Sequence, residues 1–484
     1  MSISTEKRRL CMPDPHSVVL LKVDLIGYLM GLSVSVAENM GLKTDQVVNI
    51  GFGNKTWTGK FLIIPNLPPG NEDKLFLNAN LSDPTPPDFT GISFYRADEV
   101  LRLGPVLAIL AYRTGKPSRF YGEQTSFLKK LITIGRAMKM LVYVFSPDDV
   151  NWEKGIINGY SLAGDSPEET WQQSVYPFPD VIYDRGLFPP GDHRREAALL
   201  RKRFRSSAAV KYFNPAFFGK WKTHRWLAEH PSLRLHLPDT LLIKSIRDVI
   251  TMADRYQEIY LKPIGGSSGR GIIKISREQD GTYICERRVK RITETLTAVD
   301  STGLINILSP SLTAKKHVAQ QGIRLATYQG RRFDVRALMQ KNSSGCWVLT
   351  GMAARVAQGN AYITNVHAGG NAEKISTVIA DAFSFDADLQ EYILANIRRL
   401  SLLACTWIEE KTGQQFGEIA VDLGVAADGY IWFIELNAVP GRTVFRRIGA
   451  TNIAARALTR PLEYARYLAG LGNTKPDKNK CGGA

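Results

Sequence analysis

Apolar and polar residues alternate along residues 16–100, where SVVLLKV, VVNIGFG, TWTGKFLIIP and KLFLNANL read as strands, because successive side chains of a strand point to opposite faces. Gly, Asn and Pro separate them, and Pro65–Asp73 and Ser82–Phe89 are loops by composition. We read a small β-rich N-terminal domain that carries no chemical motif. From Gly104 the pattern changes. GPVLAILAY is a buried strand, Gln124–Met140 a helix, LVYVFSP a second strand and Pro179–Gly186 a third. Such alternation predicts a parallel α/β domain over 101–212. Beyond Phe213 come helices at Phe218–Glu229 and Ser245–Arg255, strand Glu258–Pro263, strands GIIKIS and GTYICERR, and a long helix at Asp388–Lys411. Residues 1–15 and 471–484 are polar and read as tails.

Two short apolar strands near the end carry the densest chemistry. IAVDLGV holds Asp422, Ala427-Asp428-Gly429 forms a turn, and YIWFIELN holds Glu435 and Asn437. Residues two apart in a strand share a face, so Glu435 and Asn437 lie together and a hairpin brings Asp422 beside them. Two carboxylates and an amide oxygen are hard donors suited to Mg²⁺, which commonly takes phosphates as further partners.

A nucleotide site is therefore sought elsewhere in the chain. GGSSGRG, with Gly265, Gly266, Ser267, Ser268, Gly269 and Gly271, links two strands, and glycine lets backbone N–H groups approach phosphate oxygens. It is not a Walker loop, since Gly-Lys-Ser/Thr is absent and a strand follows; the bland alternative is a glycine-rich hairpin. Lys262 ends an apolar strand just before Pro263, and Lys220 opens an aromatic-rich helix. Either can supply a point charge to a phosphate, or snorkel along apolar surface. In RRFDVRALMQKN, Asp334 and Arg336 share a face; Arg336 can grip a phosphate, oriented by Asp334, or form a structural ion pair. Arg355, Asn365 and His367 precede a Gly-Gly turn and could line the same site, His367 as a secondary candidate.

Composition narrows the class. The chain has 484 residues, enough for more than one domain, with 44% hydrophobic and 22% charged residues, ordinary for a globular protein with a sizeable core. No apolar run is long enough to span a membrane, and no secretory leader is expected in MSISTEKRRLCMPDPHS. The five cysteines are scattered without a C-x-x-C pair, so neither a disulfide framework nor a zinc site is indicated and a reducing, cytoplasmic location is expected. The net charge of +16 favours an anionic partner. Its densest run, His193–Arg205, reads as a solvated helix face, and no nucleic-acid signature is present.

The order of these motifs, from YFNPAFFGKW through YLKPIGGSSGRGIIKI, RRFDVRALMQKN and TNVHAGG to GEIAVDLG and WFIELNAVPGR, resembles the ATP-grasp superfamily, and within it the YheC/YheD group of endospore coat-associated proteins. The resemblance implies an ATP-grasp domain over 213–470. Lys220 and Lys262 become the ATP lysines, Gly265–Gly271 the phosphate loop, and KKHVAQQGI a hinge with Gln320 or Gln321 near adenine, where many of these proteins carry Glu. Arg336 and Arg355 face the phosphates, and Asp422, Glu435 and Asn437 hold one or two Mg²⁺, with Mn²⁺ as an alternative. It further implies an ATP-dependent ligase joining a carboxylate to an amine through an acyl-phosphate. The competing readings are a non-catalytic, ATP-binding or spore-coat structural protein on the same fold, and phosphoryl transfer to another acceptor. An anionic polymer is a candidate partner.

Overall fold

The computed structural model describes residues 16–67, 74–81, 89–97, 99–164, 166, 168–215, 218–265, 271–289, 292–314, 316–358, 370–384 and 386–471. They form two compact units: residues 16–215 with 343–345 and 458–471, and residues 218–342 with 346–457.

In the first unit, strands β1 (His16–Val23), β2 (Met30–Ser33), β3 (Val47–Phe52), β4 (Lys55–Ile64), β5 (Lys74–Asn78), β6 (Phe89–Ala97) and β7 (Val100–Gly104) form a closed barrel, ordered β1-β5-β2-β4-β3-β7-β6. Pairing of β1 with β6 shuts it, which removes the edges an open sheet would expose. Met30, Ile50, Phe52, Phe61 and Phe94 are buried there, and a short helix, α1 (Val34–Asn39), follows β2.

The same unit continues into a seven-stranded sheet of β8 (Val106–Leu110), β9 (Leu141–Phe145), β10 (Val150–Asn151), β11 (Ile156–Leu162), β12 (Trp171–Pro177), β13 (Val181–Asp184) and β14 (Lys211–Phe213). The strands β9, β8, β13 and β14 run parallel. All five residues of β8 are buried, as a parallel strand covered on both faces requires. Val106, Ala108 and Leu110 join a core continuous with the barrel. Leu107 and Ile109 pack on the other face against Leu128, Leu131 and Ile132 of α2 (Thr125–Ala137). The basic run forms α3 (Asp192–Arg205), which buries Ala197, Leu200 and Phe204. Its Arg201 grips the buried Asp184 through Nε at 2.6 Å and Nη2 at 3.0 Å.

The second unit holds two further sheets. One orders β15 (Thr240–Leu242), β16 (Glu258–Pro263), β17 (Ile273–Arg277), β18 (Tyr283–Val289), β19 (Ile292–Ala298) and β20 (His317–Gln321) as β15-β20-β16-β17-β18-β19. The helix α4 (Lys220–Ala228) precedes it in the chain. The apolar face of this sheet packs on α5 (Ile246–Tyr256) and α6 (Ser301–Ala314) through Val249, Met252, Ile259, Ile275 and Leu304. A capping box between Ser245 and Asp248 fixes the start of α5.

The other sheet orders β24 (Asn371–Glu373), β23 (Trp347–Val356), β22 (Arg331–Lys341), β25 (Glu418–Val425) and β26 (Ile431–Asn437), with β21 (Thr327–Tyr328) on β22. Alternate residues Phe333, Val335, Ala337 and Met339 of β22 enter one core with the helix α7 (Ile375–Ala382) and the 26-residue α8 (Ala387–Thr412). Asp386 caps α8 by accepting from Leu389 N at 2.7 Å, and left-handed Gly413 ends it. On the opposite face, Leu338 and Ala353 are covered by Val444 and Phe445 of α9 (Thr443–Arg447) and by Ala457 of α10 (Thr451–Arg466). The remainder of that face carries charge.

No helix among the described residues is long and apolar enough to cross a membrane. Cys285 and Cys405 are free buried thiols.

The turn between β25 and β26 sets the hairpin on which Asp422 and Glu435 depend. Gly429 there has φ +83°, and an added Cβ would lie 2.7 Å from Leu389 Cδ1. Gly429→Ala should therefore destabilise the second unit by about 1–3 kcal/mol, measured as a shift in the urea unfolding midpoint; an unchanged midpoint would refute this role.

Candidate functional site

Cross-strand register assembles the charged face. Asp334 of β22 lies opposite Arg355 of β23, Arg336 of β22 opposite Asp422 of β25, and Asp422 opposite Glu435 of β26. Directly opposed residues project to one side of a sheet, so the charges form a ladder across four strands. Arg355 donates to Asp334 through Nε at 2.6 Å and Nη2 at 2.7 Å, and its Nη2 also lies 3.0 Å from Asp422 Oδ2. Arg336 makes a fork onto Asp422, with Nη2 2.8 Å from Oδ2 and Nε on Oδ1. Asp334 was expected to orient Arg336; instead it holds Arg355, while Arg336 holds Asp422.

The electrostatics follow from burial. Burial pushes the Asp422 carboxyl up, but the Arg336 and Arg355 guanidiniums outweigh it and hold it below the ordinary value. Burial works against the Arg355 charge, yet Asp334 and Asp422 outweigh it and raise its pKa. Glu435 moves the other way, raised by burial and only partly opposed by Lys220. Among the described residues its carboxylate accepts no hydrogen bond, and the Lys220 ammonium stands 3.8 Å from Oε1.

A bulge aims Glu435. Register slips between Asp422 and Leu423, leaving Ile434 as the extra residue of β26. Phe433 and Leu436, three apart, consequently both enter the core, and the run from Phe433 to Leu436 borders a cleft. Bulges re-aim side chains in this way.

That cleft is partly open to solvent. Phe218, Leu227, Leu237, Val318 and Phe433 give it apolar walls, and Lys220, Lys262 and Glu435 a charged end. Lys220 is the first residue of α4, and its backbone N–H donates to Ile264 O at 3.4 Å. Lys262 lies at the end of β16, where burial lowers its pKa to about 8. Its ammonium donates to Gln320 Oε1. An apolar slot ending in cations suits a flat base joined to phosphates.

The structure brings Lys220, Lys262, Gln320 and Glu435 to this cleft, and Arg336, Arg355, Asp422 and Asn437 to the adjoining sheet face. Gln321 is engaged elsewhere, accepting from Asp239 N at 3.1 Å. Gly265 and Gly271 flank the glycine loop; Gly266, Ser267, Ser268 and Gly269 lie outside the described residues, as do Asn365 and His367. Sequence reasoning missed Thr240, which faces Gln320; its signal is only the pairing of β15 with β20.

Two carboxylates and an amide are oxygen donors of the kind a hard divalent cation takes, but among the described residues no group of three His, Cys, Asp or Glu side chains gathers there. Asp422 accepts four N–H contacts, three from its arginines and a long one from the Asn437 amide, which matches the roughly four lone-pair positions of a carboxylate. Glu435 keeps its oxygens free of hydrogen bonds among the described residues, and the Asn437 amide lies 3.5 Å from Asp422 Oδ2.

The sequence profile described as YheC/D-like ATP-grasp matches residues 209–468, which contain this whole arrangement. The chain belongs to the YheC/D-like ATP-grasp family. It is 27% identical over 390 residues to the endospore coat-associated protein YheD of Bacillus subtilis, covering 78% of this chain and 82% of that protein. It is 22% identical over 343 residues to YheC of the same organism, covering 69% and 88%. Among solved structures it is similar to the ATP-grasp ligase PsnB complexed with minimal precursor, at TM-score 0.42 and 15% identity, covering 73% of this chain and 98% of that one. D-alanyl-alanine synthetase A from Vibrio cholerae aligns at TM-score 0.43 and 12% identity, covering 74% and 98%.

Removing the Arg355 guanidinium leaves two buried carboxylates short of a partner. Arg355→Ala should cost about 3–5 kcal/mol, with part recovered by Asp334→Asn in the same chain. Urea unfolding followed by tryptophan fluorescence checks this; equal stability of the single and double variants would contradict the pairing.

Proposed function

We propose that the chain is an ATP- and Mg²⁺-dependent ligase that joins a carboxylate to an amine. The observation that supports this best is the cleft in which Lys220, Lys262 and Glu435 meet beside the Asp422 face. Adenine occupies the apolar slot, and Lys220 and Lys262 bind the phosphates as point charges. Asp422, Glu435 and Asn437 hold Mg²⁺, which when bound neutralises charge on the phosphate oxygens. Arg336 and Arg355, paired with Asp422 and Asp334, fix the Asp422 carboxylate in place beside the phosphates. The glycines from Gly265 to Gly271 and Asn365 complete the phosphate site.

A carboxylate oxygen of the acceptor attacks the terminal phosphorus, the bond to the bridging oxygen breaks, and ADP leaves. The amine nitrogen then attacks the acyl carbon, loses a proton, and phosphate departs. No protein nucleophile is required, and positioning and electrostatics carry the rate. The +16 charge suits an acidic, polymeric acceptor, and the names of YheD and YheC support the endospore coat as the place of action. Those names also support the second reading, an ATP-binding coat component without ligase activity.

Hydroxylamine trapping separates the two. With ATP, Mg²⁺ and a carboxylate panel, a ligase gives ADP and a hydroxamate; ATP binding without either product favours the coat component. Glu435→Gln should lower Mg²⁺-dependent turnover by at least about a hundredfold with the fold intact, and full activity at ordinary Mg²⁺ would refute the metal assignment.

Lys262 gives a pH signature. Its charge is present below about 8 and lost above it, so ATP affinity should fall as pH rises from 7 to 9. Lys262→Arg, which stays charged throughout, should flatten that fall. An equally steep profile in the variant would show that another group titrates.

A further inference from the structure

The cations of this face differ in what they touch. Arg336 and Arg355 grip carboxylates, and Lys220 stands near Glu435. Lys262 contacts only neutral groups among the described residues: its ammonium donates to Gln320 Oε1 and lies 5.8 Å from the centre of the Tyr260 ring. An ammonium over an aromatic face is attracted without being neutralised.

Gln320 is itself oriented from behind. It sits on β20 opposite Thr240 of β15 and Tyr260 of β16, so the three share one face, with Lys262 two residues beyond Tyr260. The Thr240 hydroxyl donates to Pro238 O at 2.8 Å, leaving its oxygen to accept from Gln320 Nε2 at 3.0 Å. That contact turns the Gln320 carbonyl toward Lys262; the reverse orientation would set N–H donors against an ammonium.

We infer that Gln320, held by Thr240, is a positioning residue for the phosphate-binding lysine and is not an adenine-reading group. The inference rests on the nucleotide reading of the cleft. The choice of amide matters. A glutamate in the same place would capture Lys262 in a contact ion pair and set a negative charge beside the phosphates. Without the carbonyl, the ammonium is free to turn toward Glu435, which already attracts it electrostatically.

Calorimetry of ATP and of adenosine against the full chain and its variants tests this. Gln320→Glu should weaken ATP by at least about tenfold, and Gln320→Ala and Thr240→Val by roughly threefold to tenfold, the range of one hydrogen bond. Adenosine affinity should stay within about twofold in all three. In a Lys262→Ala background, Thr240→Val should have no further effect on ATP, because the relay acts only through that lysine. Equal losses for ATP and adenosine would mean that Gln320 reads the base and would overturn the inference. So would an unchanged ATP affinity in Thr240→Val and Gln320→Ala when the unaltered protein binds ATP. Failure of the unaltered protein to bind ATP would overturn the nucleotide reading itself, and the inference with it.

Discussion

The Asp422 carboxylate, fixed between two guanidiniums on one face of a sheet, is the constraint on which the site turns. A charge that buried is costly unless it is paired and hydrogen-bonded, and Arg336 and Arg355 provide both. Their grip ties β22, β23 and β25 together at the point where Glu435 and Asn437 lie alongside. The same residues that give this rigidity are those to which the proposed chemistry is assigned. The side chains that would face a nucleotide are already held in one geometry.

Division of labour between two sheets explains the cleft. The sheet containing β16 and β20 buries one face on helices and offers Lys262 and Gln320 from the other. The sheet containing β25 and β26 buries one face on α8 and offers Glu435 from the other, through a bulge. The apolar walls give the slot its shape, and the charged end gives it direction. The metal-type oxygens and the cations lie at that end together.

Local parity was legible in the chain itself. Glu435 and Asn437 are two apart and share a face, the Asp428-Gly429 turn implied their hairpin with Asp422, and Lys220 opens a helix close to the one expected. Pairings between strands distant in sequence were not legible. Parity alone would set Phe433 and Leu436 on opposite faces, whereas the bulge lets both enter the core. Asp334 sits two residues from Arg336 and was read as its partner, but lateral register gave it to Arg355. Closure of residues 16–104 into a barrel, and the meeting of Thr240 with Gln320 across 80 residues, are likewise products of register, which no single segment encodes. Gln320 and Gln321 look equivalent in sequence, yet adjacent positions on a strand face opposite ways, and only Gln320 turns to Lys262.

The central claim is that the charged end of this cleft binds the phosphates of ATP together with a divalent cation. Calorimetric titration of ATP into the full chain, with and without Mg²⁺, tests it most directly. The account predicts binding that strengthens with Mg²⁺ and is lost with it in Glu435→Gln. Absence of binding at millimolar ATP, or binding indifferent to both Mg²⁺ and Glu435, would contradict it.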